Sequence, residues 1–137
     1  MAVRAWLVDK SAYVRLATSP DADEWASRIE RGLLRISTVT RLEIGFSFRN
    51  ATVAEEEVAV PPLVSMPLEY LTPAIERRAV AVQMALTRRG QHRAAPIPGL
   101  LVAATAELTG LTVLHADKDF DLVAAVTSQP VETLRTT

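Results

Sequence analysis

Short apolar runs alternate along this chain with longer stretches of helical spacing, and the alternation predicts strands in turn with helices. Residues 5–8, Ala-Trp-Leu-Val, form an uninterrupted apolar run that ends at Asp9 and reads as a strand buried on both faces. A helical stretch over about 11–17 follows. Ser19-Pro20-Asp21 is a helix start, and that helix runs to Arg31, where Gly32 closes it. A second strand is expected over 34–37, a helix over 38–50, and a further helix over 52–60 that Pro61-Pro62 stops. Residues 64–69 read as a third strand. Thr72 then caps a helix with Pro73 at its first position, and Ile75, Ala79, Val82 and Leu86 recur at helical spacing before Gly90. Pro96 and Pro98 mark a loop. An Ala-rich helix covers 98–109 and ends at Gly110, with small residues suited to close packing. A strand over 111–114, a loop over 115–119, a short helix over 119–126 and a last strand over 131–134 complete the pattern.

Strands alternating with helices predict an α/β fold with a central, mostly parallel sheet. No repeat, low-complexity tract or linker interrupts the chain, so residues 1–137 are expected to form a single domain. Apolar residues make up 49% and charged residues 23%, as in an ordinary globular protein. There is no cysteine, which excludes disulfides and thiolate metal sites and fits a cytoplasmic location. No apolar run approaches the roughly 18 residues of a membrane span. The apolar run near the N-terminus is too short for the core of a signal peptide.

The net charge of −1 does not advertise a nucleic-acid binder. Local charge says more. Arg77, Arg78, Arg88, Arg89 and Arg93, with His92, cluster in a segment without acids. Arginine is well suited to bidentate phosphate contacts, and Arg88, Arg89 and Arg93 are candidate RNA contacts; an ordinary solvated helix face explains the same pattern.

Four acids carry the candidate chemistry: Asp9, Glu43, Asp117 and Asp119. Asp9 and the Asp117/Asp119 pair follow predicted strands, where open parallel sheets place ligands. Carboxylates gathered there repel unless a cation joins them, and oxygen ligands suit Mg²⁺ or Mn²⁺. Each acid also has a plainer reading. Asp9 is a competent helix cap. Thr40-Arg41-Leu42-Glu43 fits a capping box, in which Glu43 would reach back to the start of its own helix. Asp117 and Asp119 suit turn chemistry. His115 is either a partner of the site or simply a hydrogen-bonded residue. The two lysines, Lys10 and Lys118, both adjoin candidate acids, where they would moderate repulsion or touch phosphate.

Four segments together resemble PIN-domain proteins, specifically the VapC-type toxins of bacterial toxin–antitoxin pairs. They are LVDKSA at 7–12, STVTRLEIGF at 37–46, PIPGLLVAATA at 96–106 and TVLHADKDFD at 112–121, in the family's order and spanning almost the whole chain. The resemblance implies a three-layer α/β/α sandwich and a Mg²⁺- or Mn²⁺-dependent endoribonuclease acting on structured RNA such as tRNA or rRNA. It implies a VapB-type antitoxin and a homodimer. Asp9, Glu43, Asp117 and Asp119 take the places of the acidic site residues, and Ser11 and Thr105 match polar positions near it.

One position departs. The family pattern carries a metal-ligating Asp where this chain has Gly99, within Pro96-Ile97-Pro98-Gly99-Leu100-Leu101. No other acid lies in 90–105. Three readings follow: an engineered inactivation, a natural pseudo-enzyme that only binds, or a weakened site that still holds metal. The first two weigh more, because losing a ligand lowers both affinity and control of the bound water. An interaction module that binds antitoxin or RNA without cutting is therefore the rival function. A phosphorylated receiver domain would want a second acid at position 10, and a haloacid-dehalogenase-type phosphatase would want Asp at position 11. The chain has Lys10 and Ser11 there.

Overall fold

A computed structural model describes residues 3–137. The first two positions of the single domain expected over 1–137 lie outside the described residues. In chain order the elements are β1 (Trp6–Val8), α1 (Lys10–Tyr13), α2 (Ala22–Glu30), β2 (Leu34–Ser37), α3 (Thr38–Phe46), α4 (Ala51–Val58), β3 (Leu68–Glu69), α5 (Pro73–Arg88), α6 (Ile97–Thr109), β4 (Thr112–His115), α7 (Asp119–Thr127) and β5 (Val131–Thr133). Single 3₁₀ turns sit at Leu16–Thr18 and Leu63–Ser65.

The five strands form one sheet in the order β3-β2-β1-β4-β5, with every neighbouring pair parallel. Trp6, Leu7 and Val8 of β1 stand opposite Thr112, Val113 and Leu114 of β4. The pleat sends successive side chains to opposite faces. Leu7 and Val113 therefore join the core built with Ile75, Ala79, Val82 and Leu86 of α5, Val102 and Ala103 of α6 and Val123 of α7. Trp6, Val8 and Leu114 join the opposite core with Ala12, Trp25, Ile29 and Ile44. Both faces are covered, and the result is a three-layer α/β/α sandwich.

Most elements follow the predicted boundaries, and the exceptions have local causes. The strand expected over 64–69 shrinks to Leu68–Glu69, because its first half closes the 3₁₀ turn Leu63–Ser65. The helix expected over 38–50 ends at Phe46, and Asn50 caps a separate helix by accepting from Val53 N–H. The loop predicted at Pro96–Pro98 already contains the first turn of α6, with Pro98 where a proline costs no helical hydrogen bond. Gly110, with φ of 72°, ends α6 in the left-handed conformation glycine tolerates best. No helix among the described residues is long and apolar enough to cross a membrane.

Candidate functional site

The chain leaves β1 toward β2 and β3 on one side, then returns to place β4 on the other. A crevice opens beyond the carboxyl ends of strands where the order reverses in this way. Asp9 follows β1 directly, and its backbone N–H donates to the Leu114 carbonyl at 2.9 Å, so the β1 and β4 exits are stitched together. A pocket of about 320 Å³ lies there. Asp9, Glu43, Gly99, Asp117 and Asp119 all line it, with Lys10, Ser11, Arg15 and Phe120.

Asp9 both caps a helix and faces the pocket. Its Oδ2 accepts from Ser11 N–H at 3.0 Å and from Ser11 Oγ at 2.6 Å. The same Ser11 Oγ accepts the Ala116 N–H at 2.9 Å. One hydroxyl thus links the β1 exit to the β4 exit.

Glu43 does not form the capping box its sequence suggests. The helix begins a residue after β2, and Ser37 caps it by accepting from Thr40 N–H at 3.1 Å. Glu43 therefore lies beyond the first turn, half-buried against the pocket. Burial pushes its carboxyl above the usual range, the charge of Asp9 adds to this, and Lys10 opposes both. Asp119 behaves alike: burial raises its carboxyl, the charge and hydrogen bonding of Asp117 raise it further, and Lys118 opposes. Asp117 Oδ1 accepts the Asp119 N–H at 3.0 Å, and Asp117 N–H donates to Nδ1 of buried His115 at 3.2 Å. His115 thus supports the turn from beneath and does not line the pocket.

These are oxygen donors at two pairs of mutually repelling carboxylates, the chemistry a hard divalent ion relieves. They share a pocket, yet among the described residues no three of them are drawn together closely enough to hold an ion as they stand.

Gly99 occupies the third position of α6 and is buried. A Cβ there would lie 3.7 Å from the Pro96 ring and 3.9 Å from Phe120 Cζ, ordinary contact distances. The backbone therefore accepts a Cβ at this point without displacement.

The matching positions divide further. Ser11 stands in the site, whereas Thr105 is fully buried within α6 and donates to the Leu101 carbonyl at 2.7 Å. Arg88, Arg89 and Arg93 are exposed at and beyond the end of α5, and none lines the pocket. Arg78 is held bidentately by Glu107, at 2.6 and 3.0 Å. The cation the sequence reading missed is Arg15. Nothing in the linear pattern singled it out.

The PIN domain family matches residues 6–126. Ribonuclease VapC2 of Mycobacterium tuberculosis (strain CDC 1551 / Oshkosh) is 59% identical over 134 residues, covering 98% of this chain and 95% of the relative. The chain is a VapC-type PIN domain. Its fold is similar to that of DNA-bound VapBC from Salmonella typhimurium, with TM-score 0.75 and 14% identity over 96% of this chain and 98% of that one. It is also similar to VapBC-5 of Mycobacterium tuberculosis, a member of the VapBC family of toxin–antitoxin systems. That match has TM-score 0.66 and 19% identity over 98% and 100% of the two chains. In this PIN domain Asp9, Glu43, Gly99, Asp117 and Asp119 line a single pocket.

Proposed function

We propose that this VapC-type PIN domain carries the machinery of a Mg²⁺- or Mn²⁺-dependent endoribonuclease toxin that cuts structured RNA, and that Gly99 impairs it. The observation that carries the reading is the convergence of Asp9, Glu43, Asp117, Asp119 and Gly99 on one pocket at the carboxyl ends of β1 and β4. The high identity to a ribonuclease over nearly the full chain supports the substrate class.

Asp9, Asp117 and Asp119 would hold the divalent ion. When bound, such an ion acidifies water and offsets charge building on a phosphate. The chain's own residues do the rest. Ser11 fixes the Asp9 carboxylate, and the Asp119 N–H fixes that of Asp117. Glu43 faces the same space, and it or one of the later aspartates, Asp117 or Asp119, would orient the attacking water. Phe120 and Val123 give the pocket an apolar wall, which strengthens the electrostatics inside it. Gly99 leaves the carboxylate set short by one.

A VapB-type antitoxin would neutralise this site by inserting an arginine, since guanidinium pairs bidentately with carboxylate and competes directly with a cation. A homodimer of cytoplasmic, single-domain subunits completes the reading. Gly99 specifically favours a second one, an interaction module that binds antitoxin or RNA without cutting.

Cleavage of RNA by this chain and by Gly99→Asp, each with Mg²⁺, Mn²⁺ or EDTA, tests both. The expected outcome is metal-dependent cleavage by Gly99→Asp and little by this chain. Equal, metal-independent cleavage by both rejects the mechanism. Silence from both, with folding and RNA binding intact, favours the interaction module.

A further inference from the structure

Four carboxylates make the pocket hostile to a polyanion, and an RNA phosphate must nonetheless reach it. Metal alone offsets part of that charge. The pocket wall also carries two cations of the chain's own, Lys10 and Arg15. Lys10 is close enough to Glu43 for its charge to be felt there. Arg15 is different. It is exposed, and among the described residues it forms no ion pair with any acid.

Its guanidinium is nevertheless held. Nη1 donates to the Ser11 carbonyl at 2.7 Å. A guanidinium has five N–H donors, so one tether leaves most of the fork available. Ser11 is also the residue that binds Asp9 through its hydroxyl and receives the Ala116 N–H from the β4 exit. One residue thus sets where the β1 carboxylate, the β4 exit and the Arg15 guanidinium lie relative to one another. A cation tethered to a backbone carbonyl rather than spent on a neighbouring carboxylate, on the wall of an acid pocket, is suited to a phosphate bridging the two kinds of charge.

We propose that Arg15 is the pocket's phosphate-binding residue, gripping the RNA backbone beside the bond to be cut, with Lys10 next to it. The exposed Arg88, Arg89 and Arg93 lie off the pocket wall and are left as outer contacts. The assignment rests on the ribonuclease reading and names the part of the substrate that Arg15 holds.

The test is fluorescence anisotropy of a fluorescein-labelled RNA hairpin bound by the full chain in Mg²⁺ across a salt series. Arg15→Ala, Arg15→Lys and the double variant Arg88→Ala/Arg89→Ala are compared, and thermal melting confirms that each remains folded. Arg15→Ala is expected to weaken binding at least several-fold and to reduce the slope of log affinity against log salt by about one, the loss of one phosphate contact. Arg15→Lys is expected to keep the slope and lose part of the affinity, because lysine keeps the charge without the fork. An unchanged affinity and slope for folded Arg15→Ala overturns the assignment, whether or not the double variant falls. Absence of RNA binding by the unsubstituted chain withdraws the ribonuclease reading itself and the assignment with it.

Discussion

At position 99 a hydrogen stands on the pocket wall, and the neighbouring atoms leave room for a Cβ. Gly99→Asp puts an acid in the first turn of α6, where the helix dipole favours negative charge and where any side chain restricts the unfolded chain more than glycine does. Mn²⁺ affinity, read by calorimetry, is expected to rise at least about tenfold, since losses of that order follow even from perturbing groups behind a metal's ligands. A second residue-scale expectation concerns Tyr13, whose hydroxyl donates to Glu57 at 3.3 Å. Burial, then the charge and hydrogen bond of Glu57, push its phenol up to about 12. The unfolded phenol ionises near pH ~10, so Tyr13 supports the fold below that pH and its contribution is lost as pH rises through the folded value. Ultraviolet titration of the phenolate should show the late transition, and Glu57→Gln should move it back toward the ordinary value. Asp9 and the Asp117/Asp119 pair were legible in the sequence because strand exits are. Glu43 was ambiguous, since Thr40 offered it a cap partner that the structure gives to Ser37 instead. Arg15 was hidden because nothing in a one-dimensional pattern distinguishes an arginine over a pocket from one over solvent.

Among the elements, the helices were the more readable. Their caps and punctuation are local: Thr72 and Pro73 open α5, and Gly110 closes α6. The edge strand β3 was not, because only its pairing with β2 at Ile36↔Leu68 and Ser37↔Glu69 defines it. The chain's end shows the same dependence on distant partners. Leu134 is buried beyond β5, Ser19 Oγ donates to the Arg135 carbonyl at 2.7 Å, and Arg135 grips Asp21 through two bonds of 2.7 Å. The hydrogen bond and charge of Arg135 hold the Asp21 carboxyl below its usual range, against a smaller desolvation effect. A depressed carboxyl supports the fold above its unfolded value, and the support fades as pH falls through the folded one. Urea melts of the chain and of Arg135→Ala should therefore differ at neutral pH and converge on acidification. A gap that persists at the lowest pH would assign the effect to packing of the tail instead.

For the molecule as a whole, two carboxylates of the pocket resist their own ionisation. Glu43 and Asp119 both have carboxyls raised by burial and by a like-charged neighbour. Raised carboxyls cost stability as pH climbs through their range. Glu43→Gln is accordingly expected to raise the melting temperature of the metal-free protein while lowering any RNA cleavage by Gly99→Asp, a trade measured by calorimetry and gel assay. Mn²⁺ at a hundredfold over its Kd contributes about 2.7 kcal/mol, so the melting point should rise by on the order of 10 °C, and EDTA should reverse it. The α/β class and its parallel sheet were readable from alternating periodicities, and the three layers were what the family resemblance implied. The strand order was not, since it depends on the late return of β4 to the side of β1 opposite β2. That return has a temporal side. Ser11 waits 105 residues for Ala116, its partner across the sheet. A chain still emerging from the ribosome carries Asp9 and Glu43 without Asp117 and Asp119, so synthesis is nearly finished before the two halves of the pocket can meet.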